Sequence, residues 1–434
     1  MRAWYGFSLV RIQLDRMKIL LNSTSRKRLL IGAGVALCLL YVVLAGRLFV
    51  ASVFAGRPEF TSLRRATRLD PDNAEYRNHL GRYYALVTGD PASAIEPYQA
   101  AVRLNPHSAR YWFDLSSAYQ VLGDISNQTQ ALEHAITADP TTPDVAWEAA
   151  NLYLVQGDND KASREFHVVL ENDPDLANRA IQLCWRINPD VDTLLRDVVP
   201  ARSTAYIAFL ELLMAKGETE ATAKVWAALM ASSQPFDLRH VYDYFQYLLN
   251  HKAVDQARLV WQQAAPRFGL SSYVPTRNNL IVNGDFSLDV LNGGFDWQYD
   301  KQRSVTLTLD PSDSHGGGRS LQITFDGPGV TDAGIRQFIA VQPSTLYQFS
   351  GYYKNGELEG AGGPHFTIQD AYTKAVLYDS DELKEPGFWK SATGEFTTRE
   401  DCKLVILHVR RLPEGSPIRG KLWIDDFHLV AKRP

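Results

Sequence analysis

Three kinds of hydrophobic spacing divide the chain. From 29 to 46, LLIGAGVALCLLYVVLAG runs without a charge, and beyond Arg47 the apolar character resumes in LFVASVFAG. Between about 57 and 270 apolar positions recur at helical intervals, interrupted at regular distances by short turns. After 304 the interval shortens to two: Val305, Leu307 and Leu309, then Leu321, Ile323 and Phe325, share one side of their segments. The pattern predicts a long apolar helix, a series of helical hairpins and an all-β C-terminal region.

The apolar run predicts a transmembrane helix over 29–54, because about 20 residues rising 1.5 Å each cover a hydrocarbon core of about 30 Å. Arg47 near its end is able to snorkel its guanidinium to the interface. Arg2, Arg11, Arg16, Lys18, Arg26, Lys27 and Arg28 precede the run against only Asp15. This excess predicts a cytoplasmic N-terminus over 1–28, with the bulk of the chain on the extracytoplasmic side of an inner membrane. A cleaved signal peptide competes, since VFAG at 53–56 offers a small-residue site, but the 28-residue leader favours an uncleaved anchor. VALC ending at Cys38 is a poor lipidation box, because Leu37 stands where a small residue is needed.

The middle region is periodic. Pro71, Pro106, Pro140 and Pro174 each follow Asp or Asn, at separations of 35, 34 and 34 residues. Gly89, Gly123 and Gly157 each precede Asp, where a residue free to take positive φ ends the first helix of a pair. Leu80-Gly81 with Tyr84, Trp112 and Leu115 with Tyr119, and Tyr153 recur in phase; Ala94, Tyr98, Ala101, Ala162 and Phe166 place small and large side chains on the second helices. These residues resemble the tetratricopeptide repeat. Ser116 and Gln128 replace small residues of that pattern, so looser packing is expected in the second unit. Two further hairpins at 204–230 and 240–265, with Gly217, Trp226 and Trp261, look like degenerate repeats and extend the helical domain over 57–270. The resemblance implies a concave groove that binds a protein partner, lined by Asn78, Arg82, Phe113, Ser117, Trp147 and Asn151. Phe113 and Trp147 serve equally well as packing residues.

After PTRNN at 275–279 the alphabet changes. SVTLTLD, SLQITFD, YQFSGYY, PHFTIQD, SATGEFTT, KLVILHV and KLWIDDFHLV read as strands separated by glycine-rich turns such as SHGGG and ELEGAGG, which predicts a β-sandwich or jelly roll over 278–434. In the last strand Leu422 and Ile424 fit one face while Phe427 and Leu429 fall on the other, so a bulge at Asp425-Asp426 is required to keep all four inside. NLIVNGDFS, GGFDW, GGGRSLQI, YQFSGYYK, Trp389 and LWIDDFHL are similar to carbohydrate-binding modules of galactose-binding-like type. That resemblance implies a structural Ca2+ to which Asp425 contributes, although Ser287 stands where the family carries Glu; the alternative is that Asp425 bonds backbone amides beside the first strand. It also implies that Trp297 and Trp389 pack the sandwich. Sugar contact needs an aromatic platform beside polar groups, and Tyr352, His365 and Tyr372 are the candidates, with Tyr353 assigned to the core.

Composition narrows the remaining classes. A formal charge of -4 supplies no broad cationic surface for nucleic acid. Three cysteines, Cys38, Cys184 and Cys402, make no disulfide framework. The histidines show no metal-ligand spacing, and no phosphate loop, GxSxG or paired-cysteine motif occurs, so no enzyme and no cofactor beyond calcium is expected. The sequence therefore reads as a membrane-tethered scaffold or adaptor joining a protein partner to a glycan, suited to bacterial surface-polysaccharide assembly or export. The alternatives are an assembly factor with two protein-binding surfaces and, least favoured, a polysaccharide hydrolase.

Overall fold

The computed structural model describes residues 24–327, 330–384, 387–411 and 416–432. Arg2, Arg11, Arg16, Lys18 and Asp15, which carry the topology expectation, lie outside them. Packing divides the chain into two units, 1–168 and 169–434.

In the first unit α1 (Thr24–Ala55) leads into α2 (Phe60–Leu69). Residues Lys27–Ala55 are long and apolar enough to cross a membrane, by length and composition. The last turns of α1 pack on α2: Ala51 is fully buried, and the Arg47 Nε donates to the Leu69 carbonyl. Arg47 thus bridges the two helices, because the start of the repeat region folds back within its reach.

Three hairpins follow: α3 (Ala74–Arg82), continued by a π-helical turn at Tyr83–Val87, with α4 (Pro91–Leu104); α5 (Ala109–Leu122) with α6 (Ile125–Ala138); and α7 (Pro143–Gln156) with α8 (Asn159–Asn172). Gly123 and Gly157 take φ of 73° and 79° and close α5 and α7 with left-handed caps, as the turn spacing requires. Asp90 and Asp124 then cap the partner helices by accepting from the Ser93 and Asn127 amides. Ser116 and Gln128, the departures from the repeat pattern, do not loosen the second hairpin. Both are buried, and the Ser116 hydroxyl donates to the Gln128 carbonyl at 3.3 Å, so a polar contact takes the place of a backbone-to-small-residue contact.

The second unit continues with α9 (Ala177–Ile187), α10 (Val191–Asp197), α11 (Ser203–Lys216), α12 (Thr219–Ala231), α13 (Leu238–Asn250) and α14 (Val254–Arg267). Trp226 and Trp261 are buried on α12 and α14. Cys184 and Cys402 both fall in this unit; each is a free, buried thiol that burial pushes up to about 12.

The sandwich comprises β1 (Gln298–Tyr299), β2 (Val305–Asp310), β3 (Ser320–Gly327), β4 (Asp332–Ala340), β5 (Leu346–Gly360), β6 (Pro364–Asp370), β7 (Val376–Asp379), β8 (Lys390–Thr397), β9 (Leu404–Arg411) and β10 (Ile418–Ala431). They form two antiparallel sheets, β1-β4-β9-β6-β7 and β2-β3-β10-β5-β8. Ile323, Phe325, Phe349, Phe366, Ile368 and Leu407 fill the space between them. The β10–β5 register shifts between Asp425 and His428, and Asp426 takes φ of 52°. With that bulge Leu422, Ile424, Phe427 and Leu429 all reach the core.

The helices and the sandwich of this unit are joined by a seam. Trp261 of α14 donates its indole N–H to the Tyr273 carbonyl at 2.8 Å and lies against Gly294. Phe245 of α13 meets Phe295 edge to face with centroids 4.8 Å apart, and Lys403 pairs with Asp255 at 2.8 Å.

Candidate functional site

The helical unit holds a cleft of about 670 Å³ whose lining includes Arg82, Arg110, Phe113, Asp114, Asp139 and Asp144. It is open, polar and of mixed charge, with one aromatic at its wall. Hydroxyl bonds from Thr142 and Thr141 hold the Asp139 carboxyl below its ordinary value, so it is ionised at neutral pH. Of the six groove residues expected, Arg82 and Phe113 line this cleft. Asn78 is buried behind it and donates to Asp114 at 2.8 Å, tying α3 to α5. Ser117 and Asn151 do not line it: each turns back on its own helix and donates to the carbonyl four residues earlier, of Phe113 and Trp147 respectively. Trp147 packs edge-on to Phe166 at 5.9 Å, the packing role. Arg110 and Asp144 were missed because exposed charges on a repeat carry no periodic signal, and Asp139 because its recurrence before Pro140 reads as a turn and not as a cleft wall.

The sandwich separates the three expected sugar-contact residues. Tyr352 lies on β5 opposite in parity to the buried Phe349, Gly351 and Tyr353, and so faces outward from the β10–β5–β8 side. His365 lies on β6 in the other sheet, opposite in parity to Phe366, and its Nδ1 is 2.6 Å from the Ser380 carbonyl. Outward parity on different sheets puts these two on opposite surfaces of the sandwich. Tyr372 belongs to the seam: its hydroxyl donates to the Leu249 carbonyl of α13 at 2.8 Å, and Lys252 sits over its ring. Burial pushes this phenol up to about 12. Tyr372 is thus a strut between helix and sheet rather than a sugar platform.

Around Tyr352 the structure assembles what the sequence scattered. The His315 imidazole stacks on the Tyr352 ring at 3.5 Å and 15°, and Trp389 meets His315 edge-on at 6.0 Å. Trp389 donates its indole N–H to Asp313 at 3.0 Å, and the other Asp313 oxygen takes Lys354. Trp389 is half-buried on this surface and not in the core the resemblance implied, because the carboxylate holds its indole edge at the rim. Next along the face, Trp423 donates to Asp310 at 2.8 Å, with Lys354 and Lys421 against its ring. Bonds from Ser312 first, and then Trp423, hold the Asp310 carboxyl low. Half-buried rings, two carboxylates and two ammonium groups thus share one surface, the combination that a pyranose requires for its apolar face and hydroxyl edge. His315 was missed because it lies in a loop with no periodicity.

On the opposite sheet a second cleft of about 410 Å³ is lined by Thr331, Asp332, Gln369, Lys374, His408 and Arg410. His408 Nδ1 is 3.0 Å from Asp332 Oδ2. Its lining contains no Phe, Tyr or Trp ring.

Asp425 does not fit a calcium ligand. Its Oδ2 accepts from the His315 and Gly316 amides at 2.7 and 3.3 Å, and its Oδ1 accepts from Asp426 N at 2.8 Å. Three N–H dipoles aim positive charge at the place where a cation would sit. No group of three or more His, Cys, Asp or Glu side chains able to hold a metal occurs among the described residues. Asp425 is an amide acceptor that pins the 314–318 loop to the bulge. That loop precedes β3, so the amides differ from those expected near the start of the module.

Comparison with known proteins defines the class. Residues 278–411 match the model of a carbohydrate binding domain, and residues 61–109 and 83–143 match the tetratricopeptide repeat. Both matched families are non-catalytic kinds of domain, one a protein-interaction repeat and the other a carbohydrate-binding module. Among solved structures, the chain is similar to MamA (21% identity, covering 40% of this chain and 85% of that one, TM-score 0.27). It is also similar to a CBM4 module (18%, 35% and 99%, TM-score 0.28) and to the CBM22-1 xylan-binding domain of Paenibacillus barcinonensis Xyn10C (17%, 35% and 93%, TM-score 0.26). At such TM-scores these likenesses carry no functional argument. A comparison with curated protein sequences gives no match.

Proposed function

We propose that this chain is a non-enzymatic, membrane-anchored adaptor on the extracytoplasmic side. Its repeats hold a protein partner in the Arg82–Phe113 cleft, and its sandwich retains a glycan at the Tyr352–His315–Trp389 surface, in assembly or export of a surface polysaccharide. The observation that carries the glycan reading is the Trp389–Asp313–Lys354 group beside the stacked pair: it places an aromatic ring next to fixed hydrogen-bonding charges. The long apolar helix supports the anchor.

Glycan-array binding by the full chain in mild detergent tests this. Retention of a polysaccharide, lost about five- to thirtyfold in Trp389→Ala and unchanged in His408→Ala, supports the proposal; alanine substitution of a stacking aromatic removes on the order of 1–2 kcal/mol. Loss in His408→Ala alone moves the site to the opposite sheet. Silence across the array with an intact fold favours an assembly factor with two protein-binding surfaces, and turnover of a polysaccharide favours the hydrolase.

A further inference from the structure

The helix that follows the apolar span carries a charge pattern that the adaptor reading leaves unused. Between 57 and 69 the chain reads RPEFTSLRRATRL, with four arginines against the single Glu59. Arg57, just before α2, and Arg64, Arg65 and Arg68 on it are all exposed, while Ser62, Leu63, Ala66 and Thr67 of α2 are buried. None of the four carries a salt bridge among the described residues. An unpaired cluster of this kind is screened by solution ions unless a fixed anionic surface meets it.

Its placement identifies the counter-charge. The fully buried Ala51 and the Arg47 bond to Leu69 hold α2 along the last turns of α1. The guanidinium carbons of Arg57 and Arg65 lie 6.0 and 5.6 Å from the Phe54 ring, over the final turn of α1. Over these same turns the free side of α1 is still apolar: Leu48, Phe49, Val50 and Val53 are exposed. Arg57 and Arg65 are therefore fixed beside Phe54, in the final turn of the apolar, lipid-compatible surface, which is where the phosphates of a bilayer begin. They also oppose the orientation signal of the cationic leader, since positive residues close behind a span weaken it. Helix orientation is thus no reason for their presence.

The geometry points to an anionic-phospholipid site on α2 and the turn before it, in which Arg57, Arg64, Arg65 and Arg68 bind headgroup phosphates and lay the first repeat against the bilayer surface. Guanidinium forks suit phosphate oxygens bidentately, and their weak hydration suits the interface. This inference rests on α1 being inserted in a membrane.

Native mass spectrometry of the full chain in mild detergent with equimolar phosphatidylglycerol and phosphatidylcholine tests it. The wild type is expected to retain phosphatidylglycerol preferentially. Each Arg→Gln change should lower that preference, roughly fivefold per charge, with the quadruple variant showing none. Arg103→Gln, on α4, should leave it unchanged. An equal preference in wild type and quadruple variant, with both folded by circular dichroism, overturns the site. Displacement of the lipid by free inorganic phosphate overturns the lipid assignment in favour of a soluble anion. Alkaline extraction from vesicles reads the anchor separately: if wild type and quadruple variant both resist it, α1 is inserted whatever the lipid preference; if the wild type is released, the anchor reading itself fails.

Discussion

Gly294 lies so close to the Trp261 indole that a Cβ on it would fall 2.4 Å from the ring, and it takes φ of 61°. This pair sets how tightly the α14 helix meets the opening loop of the sandwich. Gly294→Ala should therefore cost about 1–2 kcal/mol for the left-handed backbone, with a further 1–3 kcal/mol for overpacking. The Trp261 emission should shift to the red as the indole is displaced. Urea unfolding followed by tryptophan fluorescence measures both; an unchanged midpoint and spectrum would show that the seam yields without cost.

Asp296 stands two residues further on, fully buried, with Oδ2 accepting from the Leu291 amide and Oδ1 without a hydrogen-bond partner. Burial raises its carboxyl from an ordinary value near 3.8 to about 7, against the lowering effect of the Leu291 and Trp297 amides. Because the folded state holds this proton more tightly than the unfolded chain, its stabilising contribution is complete below about pH 4 and is lost as pH rises to about 7. Exposed caps such as Asp90, Asp124 and Asp190 have lowered values and act in the opposite sense, losing stability as pH falls. Comparison of wild type with Asp296→Asn cancels the caps. The stability difference, asparagine minus aspartate, should grow by a few kcal/mol between pH 4 and 8. A pH-independent difference in denaturation midpoints would place the ionised carboxylate in a better-solvated setting.

Asn78 and Asp114 join consecutive repeats through one charge-assisted hydrogen bond of 2.8 Å. A double-mutant cycle with Asn78→Ala and Asp114→Ala should return a coupling of about 1–2 kcal/mol, and each single variant should weaken partner capture at the neighbouring Arg82–Phe113 cleft. Additive effects in chemical denaturation would mean that the two side chains act independently and that the cleft wall is held by apolar packing alone.

These pairs show which parts of the molecule are legible in sequence. The repeat turns are, because Gly123 and Gly157 recur at the spacing of the prolines and answer a local backbone need. The bulge at Asp425-Asp426 is also legible, because strand parity alone forbids Ile424 and Phe427 from sharing a face without it. Strand β4 is not: the buried Gly334 and the buried polar Gln337 interrupt its apolar alternation, and the Gln337 amide is satisfied by Val282, 55 residues away. The Tyr352–His315 stack and the Tyr372 strut are equally hidden, since an aromatic reads the same whether it faces solvent, another loop or a helix from a different domain. Periodicity reports which face is buried, and it is silent on what covers that face.

The bulge also yields a metal test. Asp425 gathers the amides of His315, Gly316 and Asp426, while Phe427 N donates to the Gly284 carbonyl and so sews the opening loop of the sandwich to β10. Removing the carboxylate leaves those three amides without this acceptor, so Asp425→Ala should cost about 2–3 kcal/mol and loosen the 314–318 loop that carries His315. Glycan retention should fall with it, through loss of the His315–Tyr352 stack. Since the carboxylate is spent on backbone N–H groups, a chelator should leave the wild-type Tm unchanged, and added calcium should not raise it. A fall in Tm on chelation that calcium reverses would show instead that the loop reorganises to present Asp425 to a cation.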